Sequence, residues 1–338
     1  MAGARRWLRR VGVLAVLALF TVELVLGWPS LVSAIEQLRA PRLDWVAAAV
    51  AAELGVMGAY ARMQRHLLFS AGVRVPLHKH LALAYAAHSL SVTLPGGPAF
   101  STRYNFRQMV RFGASPAVAA WCVALSAILS ALALGIVTAV GVFAAGGAVG
   151  WTSLVALAVV AVLVVVGVRH LAHDPAALER VGGVALARLN RLRHKPPEQG
   201  IDRIHAFEDQ LGAARLTPGH GTAAVLYALL NWILDAACLW MCARAVADVP
   251  LDPKQVLLAY CAGMAAGSLT IVPAGLGIID SALVLGLVAA GAPAPTAIAS
   301  VVLYRIISFG FVIGTGWVVW LLVRRHVRRE GRPADDPG

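Results

Sequence analysis

Charge is what this sequence has least of. Only 14% of its 338 residues are Asp, Glu, Lys or Arg, against about 25% in soluble domains. With 59% of positions hydrophobic and a mean hydropathy of +0.75, the apolar surplus exceeds what a water-facing globule of this length can hide. That excludes a soluble domain and predicts an integral membrane protein. Cysteine is scarce as well. Cys122, Cys238, Cys242 and Cys261 all lie inside apolar runs and read as small packing residues, so no metal site is expected. Also missing are a glycine-rich phosphate loop with its lysine, an H-x-x-x-H pair and a nucleophile elbow. No enzymatic activity and no cofactor are therefore expected. Acidic residues are outnumbered 17 to 29, for a net charge of +12. In a soluble protein that surplus would suggest nucleic acid; in a membrane chain it is an orientation signal, and no nucleic-acid partner is expected.

About 20 apolar residues are needed to cross a bilayer as a helix. Six such runs occur, at 11–29, 44–60, 115–141, 150–168, 220–243 and 296–323. The first follows Arg5, Arg6, Arg9 and Arg10, and Val32-Ser33-Ala34 behind it resembles a cleavage site. Its length and the nearness of a second span favour an uncleaved helix over a signal peptide. Two further apolar stretches, 81–94 and 256–272, run into Pro95-Gly96-Gly97-Pro98 and Pro273-Ala274-Gly275-Leu276-Gly277, and shorter segments follow at 99–112 and 278–290. Proline removes a backbone donor and glycine loosens the helix, so each stretch is expected to break into two half-helices buried against protein or lining a wet cavity.

Positive-inside counting separates re-entrant hairpins from full crossings. With two hairpins, 24 of the 29 basic residues fall on the cytoplasmic side, Arg39, Arg42, Arg244 and Lys254 fall outside, and Arg305 lies in the membrane. With two full crossings the division is 15 against 13, so hairpins are expected, with both termini cytoplasmic. An internal repeat agrees. Pro95 and Pro273, Gly97 and Gly275, and Gly113 and Gly291 are each 178 positions apart, and Ala84-Tyr85 precedes Ala259-Tyr260 by 175. The expected fold is an all-α polytopic membrane protein, a single integral domain over 1–338. It has repeat 1 at 44–141, repeat 2 at 220–323, a cytoplasmic amphipathic loop at 169–219 and a cytoplasmic tail at 324–338. Three crossings separate the two repeats, so they are inverted, an arrangement that recurs in transporters.

Ionisable groups at membrane depth are expensive and mark function or pairing. They are Glu23, Glu53, His88, Asp235 with Asn231 one turn earlier, Asp280 and Arg305. Glu23 lies near the outer interface, where its carboxylate reaches water. Glu53 and Asp235 are candidates for coupling groups or for buried partners of Arg305, and His88 is a candidate of the same kind or a packing group. Arg305 must pair with a carboxylate or meet an anionic ligand. Arg103, Arg107 and Arg111 recur at i, i+4 and i+8 behind the first break. Arg103 is nearest the free amides of that helix start, where an anion is favoured; the other two read as orientation charges.

At these motifs the sequence resembles the flippase-like family of the lysylphosphatidylglycerol synthase transmembrane region. The stretches that carry the likeness are Leu94-Pro95-Gly96-Gly97, Arg103 and Gly113-Ala114-Ser115. With them go Val272-Pro273-Ala274-Gly275-Leu276-Gly277-Ile278-Ile279-Asp280, Gly291, and Leu303-Tyr304-Arg305. The family commonly has Gly-Glu after the first Pro-Gly-Gly, where this chain has Ala99-Phe100, and Glu where Asp280 stands. The likeness is to the membrane part alone, without a synthase domain. It implies translocation of lipids between leaflets.

The sequence thus points to a lipid transporter or flippase of the bacterial plasma membrane. Its cargo would be an aminoacyl-phospholipid, another glycerophospholipid or a polyprenyl-phosphate-linked sugar. The expected binding residues are Arg103, Arg305, Pro95, Gly96, Gly97, Pro273, Gly275, Gly277 and Asp280. Two other functions fit the pattern. One is a scaffold for a lipid- or envelope-synthesis enzyme held at the basic cytoplasmic loop; the other is a permease for a small solute, with a cavity closed to lipid.

Overall fold

The computed structural model describes residues 35–94, 96–144, 146, 217–247, 251–268, 277–318 and 320–321. The spans expected at 11–29 and 150–168, nearly all of the loop at 169–219, the tail at 324–338, and Glu23, Pro95, Pro273 and Gly275 lie outside the described residues.

All elements among the described residues are helical: α1 Leu43–Ser70, α2 Leu77–Thr93, α3 Gly97–Arg111, α4 Pro116–Ala144, α5 Pro218–Val246, α6 Pro253–Ser268, α7 Ile278–Ala289 and α8 Ala294–Arg305. A π-helical turn, Ile306–Phe311, carries α8 onward to Val318. Four helices are long and apolar enough to cross a membrane: α1, α4, α5 and the extended α8. They coincide with the runs at 44–60, 115–141, 220–243 and 296–323. The first is longer than its apolar run. Arg62, Gln64 and Arg65 end the hydropathy but are good helix formers, and α1 stops only where Ala71 and Gly72 donate to the carbonyls of Leu68 and Phe69.

Both broken stretches fold back on themselves. At the tip of the first, the Gly97 N–H donates to the Leu94 carbonyl at 2.8 Å. At its base the His80 ring lies 5.9 Å from that of Phe112, so α2 and α3 are antiparallel. In the second, Gly267 faces Ile279, Gly263 faces Leu283 and Gly286 faces Ala259, an antiparallel register held from end to end. Small residues let helix backbones approach closely without a hydrophobic drive between them. A Cβ on Gly286 would stand 2.7 Å from the Ala259 Cβ and 2.9 Å from its Cα, whereas one on Gly263 would meet the side chain of Leu283 and stay 3.6 Å from its backbone nitrogen. Gly286→Ala is thus expected to cost about 1–3 kcal/mol and Gly263→Ala less; melting of the two purified variants in detergent checks the order.

The two sets, α1 to α4 and α5 to α8, are packed alike. Their first helices, α1 and α5, make the most extensive contact among the described residues, sealed by Asn231, whose side-chain amide donates to the Val56 carbonyl at 3.1 Å. The last helix of each set crosses the hairpin of the other: Gly141 of α4 lies against Leu257 of α6, and Gly316 beyond the π-turn lies against Tyr85 and Ser89 of α2. Those two glycines are 175 positions apart. One apolar cluster joins Leu239, Tyr260, Leu283, Leu287 and Leu303 around α5 to α8, and a second joins Met63, Leu67, Met109 and Leu125 around α1, α3 and α4.

Candidate functional site

The site is built at the start of α7. Gly277 holds φ at +86°, a conformation that side chains disfavour, and this lets the chain turn into the helix directly from the break. Three residues on, Asp280 reaches back, and its Oδ2 accepts the Gly277 N–H at 3.0 Å. The carboxylate thereby satisfies one free amide of the helix start and complements its positive end.

Its other oxygen, Oδ1, accepts the Nε–H of Arg305, which projects from the last turn of α8. The pair is 25 residues apart in sequence and meets because α7 and α8 pack side by side. Only 15% of the Arg305 side chain and 26% of that of Asp280 are exposed. The guanidinium lies over the Phe309 ring at 4.4 Å, a contact made from within the π-turn. Wide turns of this type occur often at functional sites. Arg305 Nη2 is buried without a hydrogen-bond partner, so the guanidinium retains unused donor capacity.

Beside the pair is a cleft of about 990 Å³, walled by Val284, Leu285, Ile298, Val301, Val302 and Ile306, with Asp280 and Arg305 as its charged groups. Leu285, Val302 and Ile306 are themselves exposed, so the cleft opens on an apolar surface. A charged corner in an oily furrow suits an amphipathic ligand: the guanidinium for an anionic oxygen, the aliphatic wall for a chain.

Asp280, and neither Glu53 nor Asp235, is the carboxylate that pairs with Arg305. Asp235 is occupied elsewhere: Tyr260 donates its hydroxyl to Oδ2 at 2.6 Å and Tyr304 donates to Oδ1 at 2.8 Å. Glu53 is buried, and its Oε2 has no partner; His88 Nε2 is likewise buried and unpartnered. Arg103 is exposed on α3 together with Arg107 and Arg111 and does not line the cleft. Gly96, at φ +69°, and Gly97 form the tip of the first hairpin. Among the described residues no group of three or more His, Cys, Asp or Glu could hold a metal.

The two tyrosines carried a signal in the sequence, but not for their hydroxyls. Tyr260 marked the repeat and Tyr304 flanked Arg305 in a motif. Nothing in Ile306–Phe311 announces a π-turn. Against known proteins, residues 7–316 match the family described as the lysylphosphatidylglycerol synthase TM region. No curated protein matches the chain.

Proposed function

The chain belongs to the family of the lysylphosphatidylglycerol synthase TM region, multi-pass membrane proteins related to lipid metabolism or transport, and from that premise we propose that it moves lipids between membrane leaflets. The observation that carries this reading is the Asp280–Arg305 pair set into the wall of an apolar cleft open on an apolar surface. A water-soluble solute needs a wet path screened from lipid; here Leu285, Val302 and Ile306 give the chains of a lipid a way in while its head group meets the charges. The protein acts as a carrier, not a catalyst.

In this proposal the chain has six spans and two hairpins that enter from opposite faces as an inverted repeat, with its termini in the cytoplasm of a bacterial cell. The matching packing of the two helix sets supports the repeat. The cleft holds compensated charge. A purely anionic head group that takes Arg305 leaves Asp280 unpaired, which is costly in a low dielectric. A head group bearing both a phosphate and an ammonium satisfies both residues. Aminoacylated phospholipid is therefore the preferred cargo, ahead of plain glycerophospholipid and polyprenyl-phosphate sugars. Arg103, at the first hairpin, would receive the phosphate on the other side of the membrane.

Transfer of labelled phospholipids across reconstituted vesicles tests this. Filling the cleft with Val302→Trp is expected to slow transfer about tenfold if burial of a few apolar groups is lost from the passage. The Arg103→Ala, Arg305→Ala double variant is expected to be slower still. Unchanged transfer of every candidate lipid in the double variant would discard the site assignment. Mass spectrometry of co-purified lipid should find a zwitterionic or aminoacylated species enriched over the host membrane.

A further inference from the structure

Behind the cleft lies a second group of polar side chains that binding of a head group does not use. Glu53 of α1 is 2% exposed, and its Oε2 is buried with no hydrogen-bond partner. The Cys238 thiol of α5 bonds to its carboxyl group. Asp235, one turn before Cys238, lies within electrostatic reach of Glu53, and both of its oxygens accept tyrosine hydroxyls. Two carboxyl groups this close in a low dielectric do not both ionise without a cation between them. Arg305, the cation in electrostatic reach of Asp235, is already engaged through Nε with Asp280. The donors decide which acid is charged. Two hydroxyls pointed at Asp235 favour its carboxylate, while an orphaned oxygen on Glu53 favours the acid form.

We propose that Glu53 carries an exchangeable proton, and that this protein couples proton binding there to lipid binding at Arg305. The inference rests on the transport reading above. The link is Tyr304, which bonds Asp235 and precedes Arg305 in the chain, together with the electrostatic attraction between Asp235 and Arg305. With Glu53 protonated, Arg305 faces the charges of Asp280 and Asp235. When the Glu53 O–H bond breaks and the proton leaves to water, a further negative charge is added to the group, and Arg305 is held more firmly away from an anionic ligand. Reciprocally, an anion that takes Arg305 raises the hold of Glu53 on its proton. Lipid anion and proton therefore bind together and leave together, one proton taken from water on the donor side and one returned on the other.

The remaining titratable groups that face the pair are Tyr85 of α2, in electrostatic reach of Glu53, Tyr260 of α6, and Cys242 beside Cys238 on α5. The tyrosines are neutral phenols at neutral pH, so the charge change belongs to Glu53 and its partner acid.

Two measurements on the full-length protein separate this inference from the transport reading. Infrared spectroscopy of the purified protein at neutral pH should show the carbonyl band of a buried carboxylic acid that disappears in Glu53→Gln and persists in Asp235→Asn. In vesicles containing phosphatidylglycerol as the probe lipid, a gradient with the donor side acid should speed net transfer to the acceptor leaflet and bias the final distribution up to about tenfold for each pH unit, as expected for one coupled proton. In Glu53→Gln the ratio of rates with and without the gradient should fall to one. Tyr304→Phe removes a donor from Asp235 without altering charge, and should move the midpoint of the response to higher pH. A band that survives Glu53→Gln, or a gradient ratio that the substitution leaves intact, overturns the proposal. A band lost as expected in a wild-type protein that transfers no lipid under any gradient overturns the transport reading and the coupling with it.

Discussion

Arg305→Ala is expected to abolish lipid transfer and to lower the unfolding free energy by about 3–5 kcal/mol, the loss typical when one partner of a buried ion pair is removed. The cost arises less from the lost attraction than from what is left behind. Asp280 would keep its single bond to the Gly277 amide and face the membrane interior as an uncompensated anion. Asp280→Ala should cost a similar amount for the mirrored reason, since the guanidinium would lose its bonded carboxylate and keep the ring faces of Phe309 and Tyr304 and the unbonded pull of Asp235. Removing both charges leaves nothing unpaired, so the double variant should be more stable than either single one. A double-mutant cycle of unfolding midpoints in detergent reads this directly; single costs that simply add would mean the two residues do not act as a pair. Transfer separates structure from binding. The double variant should regain stability and remain inactive, because the group that meets the head group is gone.

Gly97→Ala should be among the most damaging glycine substitutions at the described residues. A Cβ at this position collides with the backbone carbonyl oxygens of Ser91 and Leu90, and no rotamer moves a backbone atom aside. The tip of the first hairpin must open, at a cost of about 3 kcal/mol. The adjacent Gly96 is the natural control. Nothing lies within 4 Å of a Cβ there, but φ is +69°. Gly96→Ala should cost only about 1 kcal/mol, the conformational penalty alone, and Gly96→Asn less, since Asn tolerates that region. Thermal melts of the three purified variants give the order. Equal loss in Gly96→Ala and Gly97→Ala would mean that the close packing of α3 on α2 is not what holds the tip.

The parts of the fold legible in the sequence are those encoded locally. Hydropathy located α1, α4, α5 and α8 to within a few residues at most ends, and the Pro-Gly run at 95–98 marked where the first hairpin turns. The C-terminal end of α1 was misplaced because Arg62 and Arg65 end a hydropathy run without ending a helix. The site was legible in its letters and not in its pairing. Arg305 stood out as a charge with no water to face, and Asp280 as an acid in a motif. Which of three acids would meet it depended on how α7 lies against α8, and on Tyr260 and Tyr304 already occupying Asp235. Hydroxyls that settle such a choice have no signature in composition or period. Arg103 shows the reverse error. Its place behind the break suggested the same site as Arg305, yet α3 presents it outward with Arg107 and Arg111.

The π-turn after Arg305 also sets the phase of the last helix. A turn of this kind takes up one more residue than an α-turn, and each residue of an α-helix advances the side chains by about 100° around the axis. Upstream of the turn, α8 aims Arg305 at the cleft; downstream, it aims Gly316 at the carbonyl of Tyr85 and the hydroxyl of Ser89. With an unbroken α-helix these two faces could not both be correctly aligned, and a bulkier side chain would swing onto α2 where only glycine fits. The six residues Ile306–Phe311 thus work as a phase-shifter between two docking faces of one helix. The length of this segment is therefore under tighter constraint than the identity of its residues.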